Sequence, residues 1–340
     1  MKENYENMCS KYKLRPIRLA IPSKGRMKRE SIQFLENCGF TIQVKERQYL
    51  GYLLGPCNIQ LVFQRHEDIL YGIESGSVDL GIVGRDIYEE KSIKEGYKNL
   101  IIIHDSLQFG NCRLELAVPE DWNVDSLREL KQRKKEITVA TKFPGLTMQY
   151  LDQNRVNYRI IKGNGSIEVF PALNHSDIIV DLVSTGQTLN KNRLKMIKGG
   201  TILKSEAILI GNSKALKDSQ LIDITKDLLE FFEATLRAEG FFSVFVNIRG
   251  ENEERIANSI YSKEFLKGLQ GPTISPVITK NGEKMFAIHI IVKKMNLQEA
   301  IKNLREIGGS GVVVLPTVYI FEEEPHRYQL LLKKIGEKNG

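Results

Sequence analysis

The sequence predicts an α/β protein with a two-lobed body followed by a smaller α+β domain, and three observations carry that prediction. Over the first 210 residues, short apolar runs alternate with helical patterns, as in sheets covered on both faces. The stretch from Asn212 to Thr225 is polar and marks a change of composition. Beyond it, the patterns run strand, helix, strand, helix, strand, the order of a small split βαβ sandwich.

Taken in order, Arg18 to Ile21 is the first strand, and Met27 to Cys38 is a helix closed by Gly39. Ile59 to Phe63, Asp79 to Val83 and Ile101 to His104 read as further buried strands. Leu114 to Val118 opens a second lobe, continued by Ile137 to Ala140, Tyr158 to Ile161 and Asp177 to Val180. Thr201 to Ile210 is a long apolar stretch that returns the chain to the first lobe. Asp227 to Ala238 repeats apolar residues at helical spacing, with Gly240 as its cap. Phe242 to Ile248 alternates as a strand, Glu251 to Ser259 is helix-like, and Phe286, Ile288, Ile290 and Val292 share one face of a strand. Leu297, Ala300, Ile301, Leu304 and Ile307 form a helical stripe, and Val312 to Leu315 and Val318 to Phe321 complete the apolar runs. The expected boundaries are a polar extension at 1–15, lobe I at 16–111 and 190–225, lobe II at 112–189, a C-terminal domain at 226–325 and a tail at 326–340. Two lobes joined by crossing strands leave a cleft, a common place for small ligands.

Composition narrows the function. The 340 residues carry 49 Lys and Arg against 42 Asp and Glu, a formal charge of +7 that favours anionic partners. The basic residues are scattered, and the densest run, Lys131 to Lys135, suits a helix end, so no dedicated nucleic-acid surface is expected. Cys9, Cys38, Cys57 and Cys112 lie far apart without a C-x-x-C pair, which excludes a zinc or disulfide framework and makes a reducing cytoplasm the expected home. No apolar run approaches the roughly 20 residues that span a bilayer, and Met1 to Lys13 is polar and mixed in charge, unlike a secretory signal. His66, His104, His175, His289 and His326 show no pairing with Ser or Cys that would suggest a triad.

The chemistry concentrates in Asp177-Ile-Ile-Val-Asp181-Leu-Val-Ser184-Thr185-Gly186-Gln187-Thr188-Leu189. An apolar strand ends in an acid, and a turn rich in hydroxyls and glycine follows. Backbone N–H groups in such a turn form an anion-binding concavity, and Gly186 lets the backbone approach a phosphate. No Walker A loop and no G-x-G-x-x-G after a strand is present. The plain alternative is a strand followed by a polar turn.

This loop resembles the phosphoribosyl-diphosphate (PRPP) motif of phosphoribosyltransferases, except that Asp181 is followed by Leu182 where the commoner form has two adjacent acids. The departure resembles the signature of the ATP phosphoribosyltransferases, the first enzymes of histidine biosynthesis. Six further segments agree in order: Ala20-Ile-Pro-Ser-Lys24-Gly25-Arg26, Gly76-Ser-Val-Asp79-Leu-Gly81-Ile-Val-Gly84-Arg85-Asp86, Leu107 to Leu114, Ala140 to Pro144, Gly165-Ser-Ile-Glu168-Val-Phe-Pro171, and Gly271-Pro272-Thr273-Ile-Ser275-Pro276 with Ile307-Gly308-Gly309 behind it. Ser23 is an extra residue in the first of these. The resemblance runs from about Arg18 to Phe321. It implies a periplasmic-binding-protein-like catalytic body of two lobes and a C-terminal ferredoxin-like (ACT-like) α+β regulatory domain.

It also implies a reaction in which N1 of the adenine of ATP displaces pyrophosphate from C1 of PRPP. No protein nucleophile is needed, so positioning and electrostatics should dominate. Mg²⁺ is the implied cofactor, held mainly through the diphosphate. Ser184, Thr185, Gly186, Gln187 and Thr188 are expected to cradle the 5′-phosphate of PRPP, and Asp181 to meet the ribose hydroxyls. Glu168 is a candidate for the ribose or Mg²⁺, with a first-turn carboxylate as the alternative. Lys24, Arg26 and Asp181 carry the catalytic assignment. Lys24, Gly25, Gly84, Arg85, Asp86 and Arg113 are assigned to ATP; the rivals are a solvated loop pair for Lys24 and Arg26, and a surface salt bridge between Arg85 and Asp86. Cys112 reads as a small buried residue and not as a nucleophile. The resemblance places L-histidine, as inhibitor, near Thr273, Ser275 and Gly309, against a rigid interdomain turn as the alternative. It further implies a homo-oligomer, dimer or hexamer.

Two readings of other classes stand beside this one: a two-lobed small-molecule binding or sensor protein, and a catalytically idle regulatory paralogue. A phosphate cradle at 184–188 argues against a simple amino-acid binder. Intact Lys24, Arg26 and Asp181 argue against an idle paralogue.

Overall fold

The computed structural model describes residues 16–44, 48–55, 57–133, 135–163 and 165–337; the expected extension at 1–15 lies outside them. Two compact units divide the chain, one of residues up to 229 together with those from 324, the other of residues 230–323. Each carries the architecture expected of it.

In the first unit, β1 (Arg18–Pro22), α1 (Gly25–Asn37), β2 (Thr41–Val44), β3 (Leu50–Leu54), β4 (Ile59–Gln64), α2 (His66–Glu74), β5 (Leu80–Gly84), α3 (Arg85–Glu95) and β6 (Leu100–His104) build lobe I. Lobe II follows with β7 (Cys112–Pro119), α4 (Leu127–Gln132), β8 (Ile137–Thr141), α5 (Pro144–Gln153), β9 (Tyr158–Lys162), β10 (Ile178–Val183), α6 (Gln187–Lys191) and β11 (Leu194–Ser205). β12 (Ala207–Asn212) then re-enters lobe I, and α7 (Ser219–Ala238) carries the chain onward. The lobe I sheet runs β2-β3-β4-β1-β5-β12-β6, and that of lobe II runs β11-β7-β10-β8-β9. β1 is parallel to both β4 and β5, and its Leu19, Ala20 and Ile21 are fully buried, as strands covered on both faces require.

The boundary expected at 190 is corrected. β11 pairs with β7 from Leu194 to Ser205, so it is the edge strand of lobe II, and the return to lobe I comes between Ser205 and Ala207. A register shift between Met196 and Thr201, at Gly199 and Gly200, breaks its alternation and hides it as a strand. The hairpin of β2 and β3 carries no apolar run long enough to announce itself.

The lobes are joined by two adjacent crossings, 105–111 and Ser205 to Ala207. Leu107 N–H donates to the Ala207 carbonyl at 2.9 Å, and Ala207 N–H donates to that of Phe109 at 2.8 Å. Arg85 N–H donates to the Glu206 carbonyl at 2.9 Å, tying the start of α3 to the same hinge.

The second unit contains β13 (Phe241–Arg249), α8 (Glu253–Tyr261), β14 (Thr273–Val277), β15 (Met285–Lys293), α9 (Leu297–Glu306) and β16 (Gly309–Pro316). Its sheet is antiparallel, in the order β14-β15-β13-β16, which is the ferredoxin-like arrangement. Val244, Val246, Ile248, Ile288 and Ile290 pack under Ile256, Ile260, Ala300 and Leu304 of the two helices. Sequence reading misses β14, because Pro272 and Pro276 argue for a loop; an edge strand tolerates proline. Val318 to Phe321 forms no strand. It folds back within its own unit, where Ile320 N–H donates to the Ala234 carbonyl and Tyr319 and Phe321 sit edge-on to Phe231. The expected tail is in part a helix, α10 (His326–Glu337), which belongs to the first unit.

Candidate active site

The C-terminal ends of β1 and β10 meet across the cleft. At β1, Pro22 gives way to Ser23 and Lys24, and Lys24 takes an extended conformation as the N-cap of α1. Lys24, Gly25 and Arg26 are all exposed there. Arg26 spans the lobes: its Nη1 donates to Ser184 Oγ at 3.2 Å and its Nη2 to the Asn111 carbonyl at 2.9 Å, while Nε pairs with Glu30 at 3.1 Å. One guanidinium therefore touches the phosphate-type loop, the hinge and its own helix.

On the lobe II side, β10 runs to Val183, so Asp181 lies inside the strand and not at its end. Ser184, Thr185 and Gly186 make the turn, and α6 starts at Gln187. Gly186 is the N-cap with φ +79°, a left-handed conformation that side chains oppose. Ser184, Thr185, Gln187 and Thr188 are exposed, and the first N–H groups of α6 have no upstream carbonyl within the helix. Exposed hydroxyls and the first amides of a helix thus share one turn, an arrangement that can hold an anion.

Asp181 is 8% exposed. Its Oδ1 accepts the Leu182 N–H at 2.9 Å and its Oδ2 lies 3.6 Å from Lys142 Nζ. Burial pushes its carboxyl up, Lys142 and the Leu182 amide pull it back, and Glu168 pushes it up again. Glu168 sits on the single turn Ile167–Val169, half-buried, and its Oε2 is buried without a hydrogen-bond partner. Glu115 of β7 pairs with Asp181 in the antiparallel register. It is 3% exposed, accepts the Thr201 hydroxyl at 2.9 Å, and holds Arg113 Nε at 3.2 Å. Arg113 is half-exposed beside the hinge.

Sequence reasoning missed Lys142, Glu115 and Asn111. Lys142 stands directly after an apolar strand, as Ser184 does, and that position is the signal that could have found it.

Residues 84–86, assigned to ATP from the sequence, are tied into the hinge. Asp86 is buried, its Oδ1 accepts the Ser205 hydroxyl at 2.6 Å, and its N–H donates to Ser205 Oγ at 2.9 Å. A Cβ on Gly84 would collide with Asp86 Oδ1, so glycine makes room for this lock. Arg85 donates to the Asp105 carbonyl at 2.7 Å and faces Glu89 at 3.9 Å, not Asp86. All three residues hold the hinge. Cys112, beside them, has its thiol pushed up by burial first and by Asp86 second, which suits a packed residue and not a nucleophile. Burial likewise lowers His66, and lowers His104 to about 4, leaving its buried imidazole neutral at neutral pH.

In the second unit, Thr273 and Ser275 are exposed on β14 and pair with His289 and Ala287. Gly309 starts β16 at the opposite edge of the sheet, paired with Ile248. Within one chain the structure does not bring Gly309 to Thr273, because β15 and β13 lie between them. Thr273 instead lines a cavity of about 360 Å³ with Arg237, Gly271, His289 and Glu322. His289 is bonded to Ser243 at 2.6 Å and stacked on Phe245 at 4.4 Å.

Comparison with known proteins bears on this geometry. A family described as ATP phosphoribosyltransferase matches residues 65–231, and one described as HisG, C-terminal domain, matches residues 238–318. ATP phosphoribosyltransferase 2, chloroplastic, of Arabidopsis thaliana is 41% identical over 335 residues, covering 94% of this chain and 81% of the relative. ATP phosphoribosyltransferase of Methanococcus maripaludis is 31% identical over 300 residues, covering 88% of this chain and 98% of the relative. Among solved structures, the ATP phosphoribosyl transferase (HisG:HisZ) complex from Thermotoga maritima aligns with TM-score 0.50 and 26% identity, over 64% of this chain and 98% of that one.

Proposed function

The chain belongs to the ATP phosphoribosyltransferase family, and from that premise we propose how its cleft performs the transfer. The enzyme catalyses the first step of histidine biosynthesis, from ATP and PRPP to phosphoribosyl-ATP and pyrophosphate. The N1 lone pair of adenine forms the bond to C1 of the ribose, the C1–O bond breaks, and its electron pair leaves with pyrophosphate. The residues contribute placement and charge.

The observation that carries the reading is the meeting of Arg26 with Ser184 across the cleft, beside a buried Asp181. Ser184, Thr185, Gly186, Gln187 and Thr188 hold the 5′-phosphate, and Asp181 accepts the ribose hydroxyls. Arg26 and Lys24 face the negative charge of both substrates and that which develops on the leaving diphosphate. Gly25 allows close approach on the ATP side, where Arg113 is held out by Glu115.

Among the described residues, no three His, Cys, Asp or Glu side chains group to hold a metal. Glu168, with a buried carboxylate oxygen lacking a partner, fits a Mg²⁺ held mainly by the substrate. Glu168 would hold it, and the ion, when bound, neutralises diphosphate charge.

Feedback inhibition by L-histidine belongs to the same proposal. The Thr273 cavity supports it: Arg237 Nε and Glu322 stand 3.4 Å apart at its rim, opposite charges matched to the carboxylate and ammonium of an amino acid. Histidine then acts by binding one conformational or oligomeric state better than another. A homo-oligomer, dimer or hexamer, is supported by the apolar outer face of the same sheet, where Phe245, Val313 and Leu315 are 42%, 51% and 50% exposed. No helix among the described residues is long and apolar enough to cross a membrane. The cytoplasmic location is supported by the thiols of Cys57 and Cys112, which form no disulfide among the described residues.

The test is one assay. Purified protein with ATP, PRPP and Mg²⁺ should release phosphoribosyl-ATP and pyrophosphate in equal amounts, and L-histidine should slow both. Thr273→Ala should relieve that inhibition more than it lowers uninhibited turnover; equal loss of both makes Thr273 structural.

A further inference from the structure

We propose that Lys142 is a positioning residue for the phosphoribosyl site, whose ammonium fixes the Asp181 carboxylate in the charge and orientation that ribose hydroxyls require. The proposal rests on the reading of Asp181 as the ribose acceptor.

The argument starts from strand register. Val180 of β10 is opposite Thr141 of β8 in a parallel pairing, so the next step along both strands brings Asp181 beside Lys142. Asp181 is opposite Glu115 of β7, and Glu115 is opposite Thr201 of β11. Lys142, Asp181, Glu115 and Thr201 therefore form one row across four neighbouring strands. It lies on the face that also carries Ala117, Ala140, Ile179 and Val183.

Two nearly buried carboxylates sit side by side at the centre of that row, with Glu168 near Asp181 as a third. Like charges directly opposite on a sheet repel, and a buried charge needs a partner. Glu115 has its own: the Arg113 guanidinium at 3.2 Å and the Thr201 hydroxyl at 2.9 Å. Asp181 depends on the other end of the row, where Lys142 Nζ stands 3.6 Å from Oδ2.

The pairing also sets direction. The Leu182 N–H donates to Oδ1 and Lys142 faces Oδ2, so each carboxylate oxygen has its own partner and Oδ2 is directed to the Lys142 side of the row. Lone pairs remain on each oxygen for a ligand. The Lys142 side chain is 38% exposed while that of Asp181 is 12% exposed, so the cation stays wet and the acid does not. That asymmetry separates this pair from an exposed ion pair, which would contribute little.

The experiment uses the full chain and follows phosphoribosyl-ATP formation, with KM for PRPP and for ATP measured separately. Lys142→Met should raise the PRPP KM about tenfold or more, the size of losing a charged partner, with the ATP KM changed less than about twofold. Lys142→Arg should restore most of the loss. Adding Lys142→Met to Asp181→Asn should change the PRPP KM by less than about twofold, because the group it positions is already gone. Lys142→Gln is run in parallel, so that misfolding of one variant leaves the comparison intact. An unchanged PRPP KM in the single variants overturns the proposal. So does a full Lys142→Met effect in the Asp181→Asn background, which would make Lys142 a direct phosphate ligand. Wild-type protein that forms no phosphoribosyl-ATP would overturn the reaction itself, a failure seen before any variant is made.

Discussion

Gly186 shows how far a single residue can be read. Its φ of +79° places it in the left-handed region, yet an added Cβ would meet only Met196 Cε at 3.7 Å. The cost of Gly186→Ala is therefore backbone strain of about 1–2 kcal/mol, concentrated in the turn proposed to hold the phosphate. The variant should raise the PRPP KM and leave the ATP KM nearly unchanged; matched increases in both would place the turn elsewhere in the site. Gly186, Thr185 and Asp181 could be proposed together from the sequence because one stretch of chain carries them. Lys142 and Glu115 were not, since they reach Asp181 only through strand pairing. The hinge contact of Asp86 was hidden for a related reason: it follows a strand end, but its partner Ser205 comes from a strand of the other lobe.

At the scale of elements, the buried strands of both lobes were legible as continuous apolar runs, and the helices of the C-terminal unit as 3.6-residue stripes. Weakly patterned elements were not: the β2–β3 hairpin, β14 with its proline, and β11 with its register shift. A polar tie holds two legible strands together. Asp177, just before β10, accepts the Thr138 N–H at 2.7 Å and the Thr138 hydroxyl at 2.6 Å, within β8. Burial pulls its carboxyl up, but those two bonds and the nearby Lys135 and Arg133 leave it below the usual range. The folded state thus holds Asp177 ionised more tightly than the unfolded chain does. Its stabilisation is present above the ordinary carboxylate pKa of about 3.9 and is lost as pH falls through the folded value. Asp177→Ala should lower the urea-unfolding free energy of the first unit by about 1–3 kcal/mol at neutral pH, and by less as pH falls toward 3. A deficit independent of pH would assign the loss to packing.

At the scale of the whole molecule, the site proposed for two anionic substrates distributes its charge over separate elements: Lys24 and Arg26 after β1, Lys142 after β8, Arg113 on β7 and the turn after β10. The hinge at 84–86, 105–111 and 205–207 sets how those elements face one another, and α10 adds to it, with Arg327 3.1 Å from Asp105 and Lys334 donating to the Ile102 carbonyl at 3.0 Å. The most direct measurement is the equilibrium affinity of the purified chain for PRPP, set beside that of the Thr185→Ala/Thr188→Ala double variant of matched thermal stability. PRPP binding that weakens more than about tenfold in the double variant, the loss of two hydrogen bonds to a charged phosphate, is the result the site requires. Equal affinity in the two proteins would contradict it and place the phosphate elsewhere in the cleft.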